Sequence, residues 1–475
     1  MMCGPSASSG ETVGSKPGLA EVPRISGTNS NSNDLVETVQ THPASWLQSV
    51  SAELRARFID GFSPAYFASV MGTGMSANLL YNFPYPARWL QVCGIIMALV
   101  GLVLFVGLCG FFAVALYCRP RLFSQIHRDP VVAPAMGCFV MGYTTLFTFL
   151  HNVLGASWIV GVWVLWWVVV FGSFYTGIVT FYFSLMAKHR NSKNRLEPTS
   201  LGMHYLLPVV TLTVAASMGG IITADLPTTN DKIVTMTVSL IMWAIAMLLA
   251  SIIVTINFWR MLVHKIPHSG QVLAMFLPIG FVGQGAFAIL YFGQNCTLLL
   301  LEHHDTVAAS LYVSFLSDTA QNNGVALTHL PLLMSTAIMV TCSIVAFMLI
   351  AFGFLLTVFA YMSLVSKMSP FAIKRNHAFL YQPTSRLPIK RFFAGLLKFQ
   401  RGFWSMTFPL GTMSLAINHF YSLYNGFVAF RVVATIYAML VLITTLGCLV
   451  GVVYKGLMIF IRARATAESK NDEQV

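Results

Sequence analysis

Phe408 is the residue of this chain best placed to act on a passing solute. It stands directly before Pro409 in RGFWSMTFPLGTMSLA (401–416), an apolar run that is also rich in Gly, Ser and Thr. Four other apolar runs carry an early proline in the same way, at Pro64, Pro134, Pro208 and Pro278. The residues before those prolines are Ser63, Ala133, Leu207 and Leu277. If five such segments surround one axis with their prolines level, one aromatic ring projects where the others carry smaller side chains. A single ring in that place can stop a narrow path. Against this stands the plainer reading, that Phe408 is one of 36 phenylalanines, most of which simply pack. At 100° per residue, Thr412 and Leu415 return close to the Phe408 face and His419 returns to within about 20° of it. Thr412, Leu415 and His419 are therefore candidate lining residues. A pore-facing His419 would sense pH or hold an anion. The alternative is a histidine hydrogen-bonded at a helix end, a reading shared by His151 and His204.

The chemistry that is missing narrows the function. An ionisable side chain in mid-membrane marks a functional site by default, and no Asp, Glu, Lys or Arg lies in the middle of any apolar run. A proton-coupled pump would need an acid to load and unload, and a dicarboxylate binder would want an arginine fork. An embedded enzyme would need clustered Asp, Glu or His. What remains is Ser, Thr, His and backbone dipoles, a lining suited to a small, moderately hydrophilic permeant selected by pore width and dipoles. His303-His304-Asp305 reads as solvated loop, because adjacent residues rarely converge on one metal. No metal or other cofactor is expected. The GTG at 72–74 and GQG at 283–285 lack the flanking strand of a nucleotide fingerprint and read as sites of close helix packing. The eight cysteines contain no CxxC pair, so neither a zinc site nor a disulfide framework is expected.

These residues need elements to hold them, and composition says which. The chain has 475 residues, 56% hydrophobic and only 9% charged, with a mean hydropathy of +0.72; a soluble protein carries about 25% charge. This predicts an all-α integral membrane protein. Ten spans follow from the apolar runs. The proline-bearing ones are short, at about 62–81, 131–151, 204–224, 272–293 and 403–421. Those between are longer, at about 89–116, 156–187, 233–259, 331–365 and 427–460. Gaps of 70, 74 and 70 residues separate the first four prolines, the mark of an internal repeat. The expected plan is five helical hairpins. Each pairs an inner, proline-kinked helix with a longer outer one, and the inner five enclose a central pore. A proline inside a membrane helix frees backbone groups that lipid does not tolerate, so the bent helices should face one another or water.

Charge sets the orientation. Of the 28 Lys and Arg, 25 fall in the termini or in loops after the long spans, leaving only Arg88, Lys232 and Arg431 on the other side. The positive-inside rule then places both termini in the cytosol. Net charge is +12; with no soluble basic domain it reads as topology and not as nucleic-acid binding, and it would concentrate anions at the cytosolic mouth. Asn295-Cys296-Thr297 reads as a glycosylation acceptor on the outer side. Residues 1–60 are expected to form a disordered cytosolic tail with a short amphipathic helix near Trp46–Phe58. The transmembrane domain occupies 61–461 and a short polar cytosolic tail 462–475.

RGFWSMTFPLGTMSLA (401–416) and SPAYFASVMGTGMSANLL (63–80), taken with the five-hairpin plan, resemble the tellurite-resistance/dicarboxylate transporter family. This voltage-dependent anion channel-like family includes bacterial tellurite-resistance channels, plant guard-cell anion channels, fungal malate permeases and fungal sulfite exporters. The resemblance covers about 60–460, and the first-helix wording is most similar to the sulfite exporters. It implies a homotrimer with one pore per protomer. It implies that Phe408 occludes the pore and that the position opposite, glycine in the channels, is Ala68 here. The function it implies is export of sulfite or another small anion across the fungal plasma membrane, with malate or C4-dicarboxylate permeation as the alternative.

Overall fold

The computed structural model describes residues 45–186, 201–267, 271–303, 330–367, 399–424 and 426–472. The expected disordered tail before residue 45 and His304-Asp305 lie outside the described residues. The described chain is helical throughout. A helix α1 (Ser45–Leu54) and a π-helical turn (Arg55–Asp60) lie where the amphipathic helix was expected. Then helices of unequal length follow one another. They are α2 (Ala68–Tyr81), α3 (Arg88–Cys118), a short α4 (Leu122–Arg128), α5 (Met136–Leu154), α6 (Ile159–Phe174), α7 (Leu207–Thr223) and α8 (Thr229–His264). They continue as α9 (Leu277–Glu302), α10 (Leu330–Ser366), α11 (Trp404–Leu423) and α12 (Val428–Asp472).

The contacts sort these helices into two layers. Helix α2 packs on α5, α5 on α7, α7 on α9, α9 on α11, and α11 returns to α2, closing a ring of five. Each ring member also packs on the long helix that follows it: α3, α6, α8, α10 and α12 in turn. Burial agrees. The most apolar windows of α7 and α9 are 89% and 94% buried, whereas those of α3, α8, α10 and α12 are between 22% and 33% buried. The outer helices present a bare apolar surface, with Trp89, Val103, Leu248, Leu262, Met348 and Val450 all more than half exposed. A contiguous surface of this kind is stable only against lipid.

Among the described residues, seven segments are long and apolar enough to cross a membrane. One of them, Ala133–Met186, holds both α5 and α6. A turn at Gly155–Trp158 separates the two, with Gly155 at φ +55°, a conformation L-residues rarely adopt. Two expected spans, 62–81 and 403–421, are not among the seven. Helix α2 is 14 residues long, and α11 is thick with Ser, Thr, Gly and Asn. Both sit inside the ring, where protein and not lipid surrounds them, so their sequences are free of the need to be uniformly apolar.

Two expectations are corrected. Four of the five prolines are not mid-helix kinks. Pro64 opens a 3₁₀ turn ahead of α2 and Pro134 lies in the 3₁₀ turn ahead of α5, while Pro208 and Pro278 stand in the first turn of α7 and α9. There a missing N–H is no loss; the prolines mark where 3₁₀ gives way to α. Only Pro409 lies inside its helix. Helix α9 runs on to Glu302, which places Asn295 within it, buried, its Nδ2 donating to the Gly220 carbonyl at 2.7 Å; Asn295 is therefore an internal bridge and not an open glycosylation site. Helix α12 continues through Asp472, while its apolar segment runs over Val428–Ile461.

Candidate functional site

The centre of the ring holds a small cavity of about 30 Å³. All five inner helices line it: Met75 and Asn78 from α2, Thr145 and Thr148 from α5, Val214, Ser217 and Ile221 from α7. Gln284 and Phe287 from α9 and Phe408 and Leu415 from α11 complete the wall. None of these residues carries a charge. The volume is that of one or two water molecules, too little for a multi-atom anion, so the ring is closed in this state.

Close helix approach makes so tight a chamber. Gly283 of α9 lies against α11, where a Cβ would come within 2.6 Å of the Thr412 hydroxyl and 2.8 Å of the Met413 backbone nitrogen. Gly137 of α5 lies against the backbone of Leu207 and Pro208 at the start of α7. The two glycine-containing triplets do the packing expected of them. Gly72 faces Trp404 and Thr407, Gly74 faces Thr145, and Gly285 faces Met247, each at less than van der Waals distance for a built Cβ.

Hydrogen bonds fix the polar part of the wall. Asn78 Nδ2 donates to the carbonyls of Gly74 (2.8 Å) and Thr145 (2.9 Å), and its Oδ1 accepts from Asn152 Nδ2 at 2.9 Å. The amide of Asn78 thus ties α2 to α5 at two places. Thr145 and Thr148 donate to carbonyls of their own helix, Gly142 and Thr144. Ser217 donates to Val214 and accepts from Gln284 Nε2, which ties α7 to α9.

Of the residues expected from sequence, Phe408 (2% exposed) and Leu415 line the chamber. Thr412 does not; its hydroxyl is turned to backbone, donating to the Pro409 carbonyl at 2.8 Å and lying 3.4 Å from that of Gly280. His419 lies beside the chamber and not in its wall. Its ring stacks on Tyr291 with centroids 4.1 Å apart and meets the edge of Phe287, a wall residue, at 5.6 Å. Ala68 is half-buried and packs against two core clusters, one of which contains Phe408, but it is not among the residues that line the cavity. The α2 residues that share the cavity with Phe408 are Met75 and Asn78, two to three turns further on. His151 is buried near Asp225, Nε2 to Oδ2 3.4 Å, at the far end of α5.

Sequence reasoning missed Met75, Asn78, Thr145, Thr148, Ser217, Gln284 and Phe287. The signal was present in the proline register. Val214, Gln284 and Leu415 each lie six residues after Pro208, Pro278 and Pro409, and Met75 and Thr145 each lie eleven after Pro64 and Pro134.

At the end of the ring where the prolines lie, Arg260 of α8 is buried (6% exposed) and shares a small cavity with His204, Asn257 and Gln271. Arg401 lies over the ring of Tyr66, 4.9 Å from its centre. Two arginines therefore lie at this end, whereas the chamber lining carries no charge.

Comparison with known proteins fits this architecture. The family model described as voltage-dependent anion channel matches residues 61–453. The sulfite efflux pump SSU1 of Candida albicans (strain SC5314) is 35% identical over 398 residues, 83% of this chain and 74% of the relative. The protein of the same name from Saccharomyces cerevisiae is 27% identical over 421 residues, 82% of this chain and 86% of the relative. That of Arthroderma benhamiae is 31% identical over 243 residues, half of this chain. The matched stretch takes in every helix of the closed ring, and on that ground the chain belongs to the voltage-dependent anion channel family.

Proposed function

We propose that this protein exports sulfite, as an anion, through the axis of the five-helix ring, and that Phe408 is its gate. The observation that carries the reading is the chamber that all five inner helices line, with the Phe408 ring in its wall and no charge within it. The name shared by the relatives supplies the substrate. Transport, and not catalysis, is the activity. Rotation of the Phe408 side chain out of the chamber would join the space above it to the space below, and Leu415 and the Asn78–Gln284 level would line the path so formed. Thr412 would act from behind, holding α11 against α9. The prolines would shape the path by setting where each inner helix begins. His419 would brace Phe287 from the side, and Ala68, packed against the cluster that holds Phe408, would help set the room the gating ring has.

The membrane is the plasma membrane, both termini lie in the cytosol, and three copies assemble with one pore each. These points rest on the distribution of basic residues and on the family resemblance. An inside-negative potential then drives a monovalent anion outward by about 2.3 kcal/mol per 100 mV, so a passive conduit would clear sulfite from the cytosol. Sulfite and malate efflux from cells lacking their own transporters tests the reading. Sulfite should leave and malate should not; malate efflux without sulfite efflux would overturn it in favour of a dicarboxylate permease.

A further inference from the structure

Gln284 is a wall residue whose side-chain amide keeps a donor and an acceptor without partners among the described residues. Its side chain is 4% exposed and lines the central chamber. The other polar side chains there are engaged. Both N–H groups and the oxygen of the Asn78 amide have partners, and the hydroxyls of Thr145, Thr148 and Ser217 donate to backbone carbonyls. Gln284 gives one N–H to Ser217. A primary amide has a second N–H, and this one makes no bond among the described residues; Oε1 is buried and likewise without a partner. An unmet buried carbonyl carries a desolvation penalty, which calls for an explanation.

The pair left open is one donor and one acceptor on the same planar group, in the middle of an uncharged chamber. Its complement is a group that offers an acceptor and a donor on one central atom. A singly protonated oxyanion has that form. Its O–H would donate to Gln284 Oε1 and a second, charged oxygen would accept the free N–H. The fully deprotonated dianion lacks the O–H and would set an anionic oxygen against the carbonyl. Charge works the same way. No basic side chain lines the chamber, and the Born penalty for entering a low-dielectric space grows with the square of the charge, about fourfold from monoanion to dianion.

We infer that the Gln284 amide is the selectivity site of the path, and that it passes the hydrogen sulfite monoanion with its proton attached in preference to the sulfite dianion. The inference rests on the reading of the protein as a sulfite exporter. The test uses the full chain under voltage clamp with two probes, sodium sulfite across a range of pH and sodium nitrate, an oxyanion with no proton to give. Wild-type sulfite current should follow the hydrogen sulfite concentration and fall as pH rises at constant total sulfite. Gln284→Leu, checked for surface amount, should lower the ratio of sulfite to nitrate current at least about tenfold, the equivalent of 1.4 kcal/mol. Gln284→Asn keeps both groups of the amide and should recover part of that ratio. The inference is overturned if the current follows the dianion, if the ratio is unchanged in Gln284→Leu, or if that variant loses both currents in step at normal surface amount. A wild-type protein that passes nitrate, or nothing, but no sulfite at any pH would sink the exporter reading itself.

Discussion

At the scale of the residue, what distinguishes Phe408 is its company. A buried phenylalanine in a membrane protein needs no special account, and most of the 36 in this chain have none. Phe408 shares its pocket with a serine, two threonines, an asparagine and a glutamine from four other helices. An aromatic ring set among so many hydroxyls and amides at the axis of a closed ring separates polar surfaces that would otherwise be continuous. Replacing it should therefore open the path. Swinging an occluding ring aside adds at least about 1.4 kcal/mol to the barrier, so Phe408→Ala should raise anion flux about tenfold or more. Phe408→Leu, which keeps most of the apolar volume, should fall between the two. Flux assays on variants matched for surface amount check this; an unchanged or lower flux in a folded Phe408→Ala protein assigns the ring to packing alone.

At the scale of the element, the inner helices hold the chamber closed by approaching more nearly than side chains allow. Gly137 shows how little room there is. A Cβ built there would lie 2.8 Å from the carbonyl carbon and 3.1 Å from the next nitrogen at the Leu207–Pro208 junction, both backbone atoms that no rotamer change can move. Gly137→Ala should part α5 from α7 and destabilise the protein by about 1–3 kcal/mol, within the range for overpacking. Gly447 of α12 is the internal control: exposed, with nothing within 4 Å of a built Cβ. Gly447→Ala should raise stability by up to about 1 kcal/mol through helix propensity. Thermal unfolding in detergent compares the two, and equal shifts would refute the account of α5 and α7. Much of this arrangement was legible in the sequence. Run length separated inner helices from outer ones, and the proline spacing identified the repeat. Phe408 stood out as the one aromatic before a proline, and helical phase counted from it placed Leu415 in the wall. The prolines' own role was misread because a first-turn proline and a kink proline look alike until the helix start is known. Gln284 was hidden between two glycines that do pack closely, and a polar residue flanked so reads as part of the packing. Asn295 matched a surface motif by chance, because a three-residue pattern carries no information about burial.

At the scale of the whole molecule, the five inner helices run parallel, each returned to its starting side by an outer partner. Their N-termini, where backbone dipoles sum to partial positive charge, therefore gather at the end that carries the prolines. Arg260, buried, and Arg401, exposed, lie at that end as well. Together with the basic loops expected there, they raise the local anion concentration and do nothing to bind an anion tightly deeper in, where the chamber is neutral. On the proposed reading such an assembly would collect anions at one mouth and release them at the other, with no acid or base among the described chamber residues to couple the movement to protons or cations. If that is the mechanism, the membrane potential alone sets the limit of export. A monoanion at equilibrium across 100 mV should stand about fifty-fold higher on the positive side, the ratio that corresponds to 2.3 kcal/mol. Vesicles loaded with sulfite at equal pH on both faces, with the potential fixed by a potassium gradient and ionophore, measure that ratio directly. It should follow the imposed voltage, vanish at zero voltage and invert when the voltage is inverted. A sulfite gradient maintained at zero voltage would require a coupled carrier, and the neutral chamber would then not be the whole of the transport path.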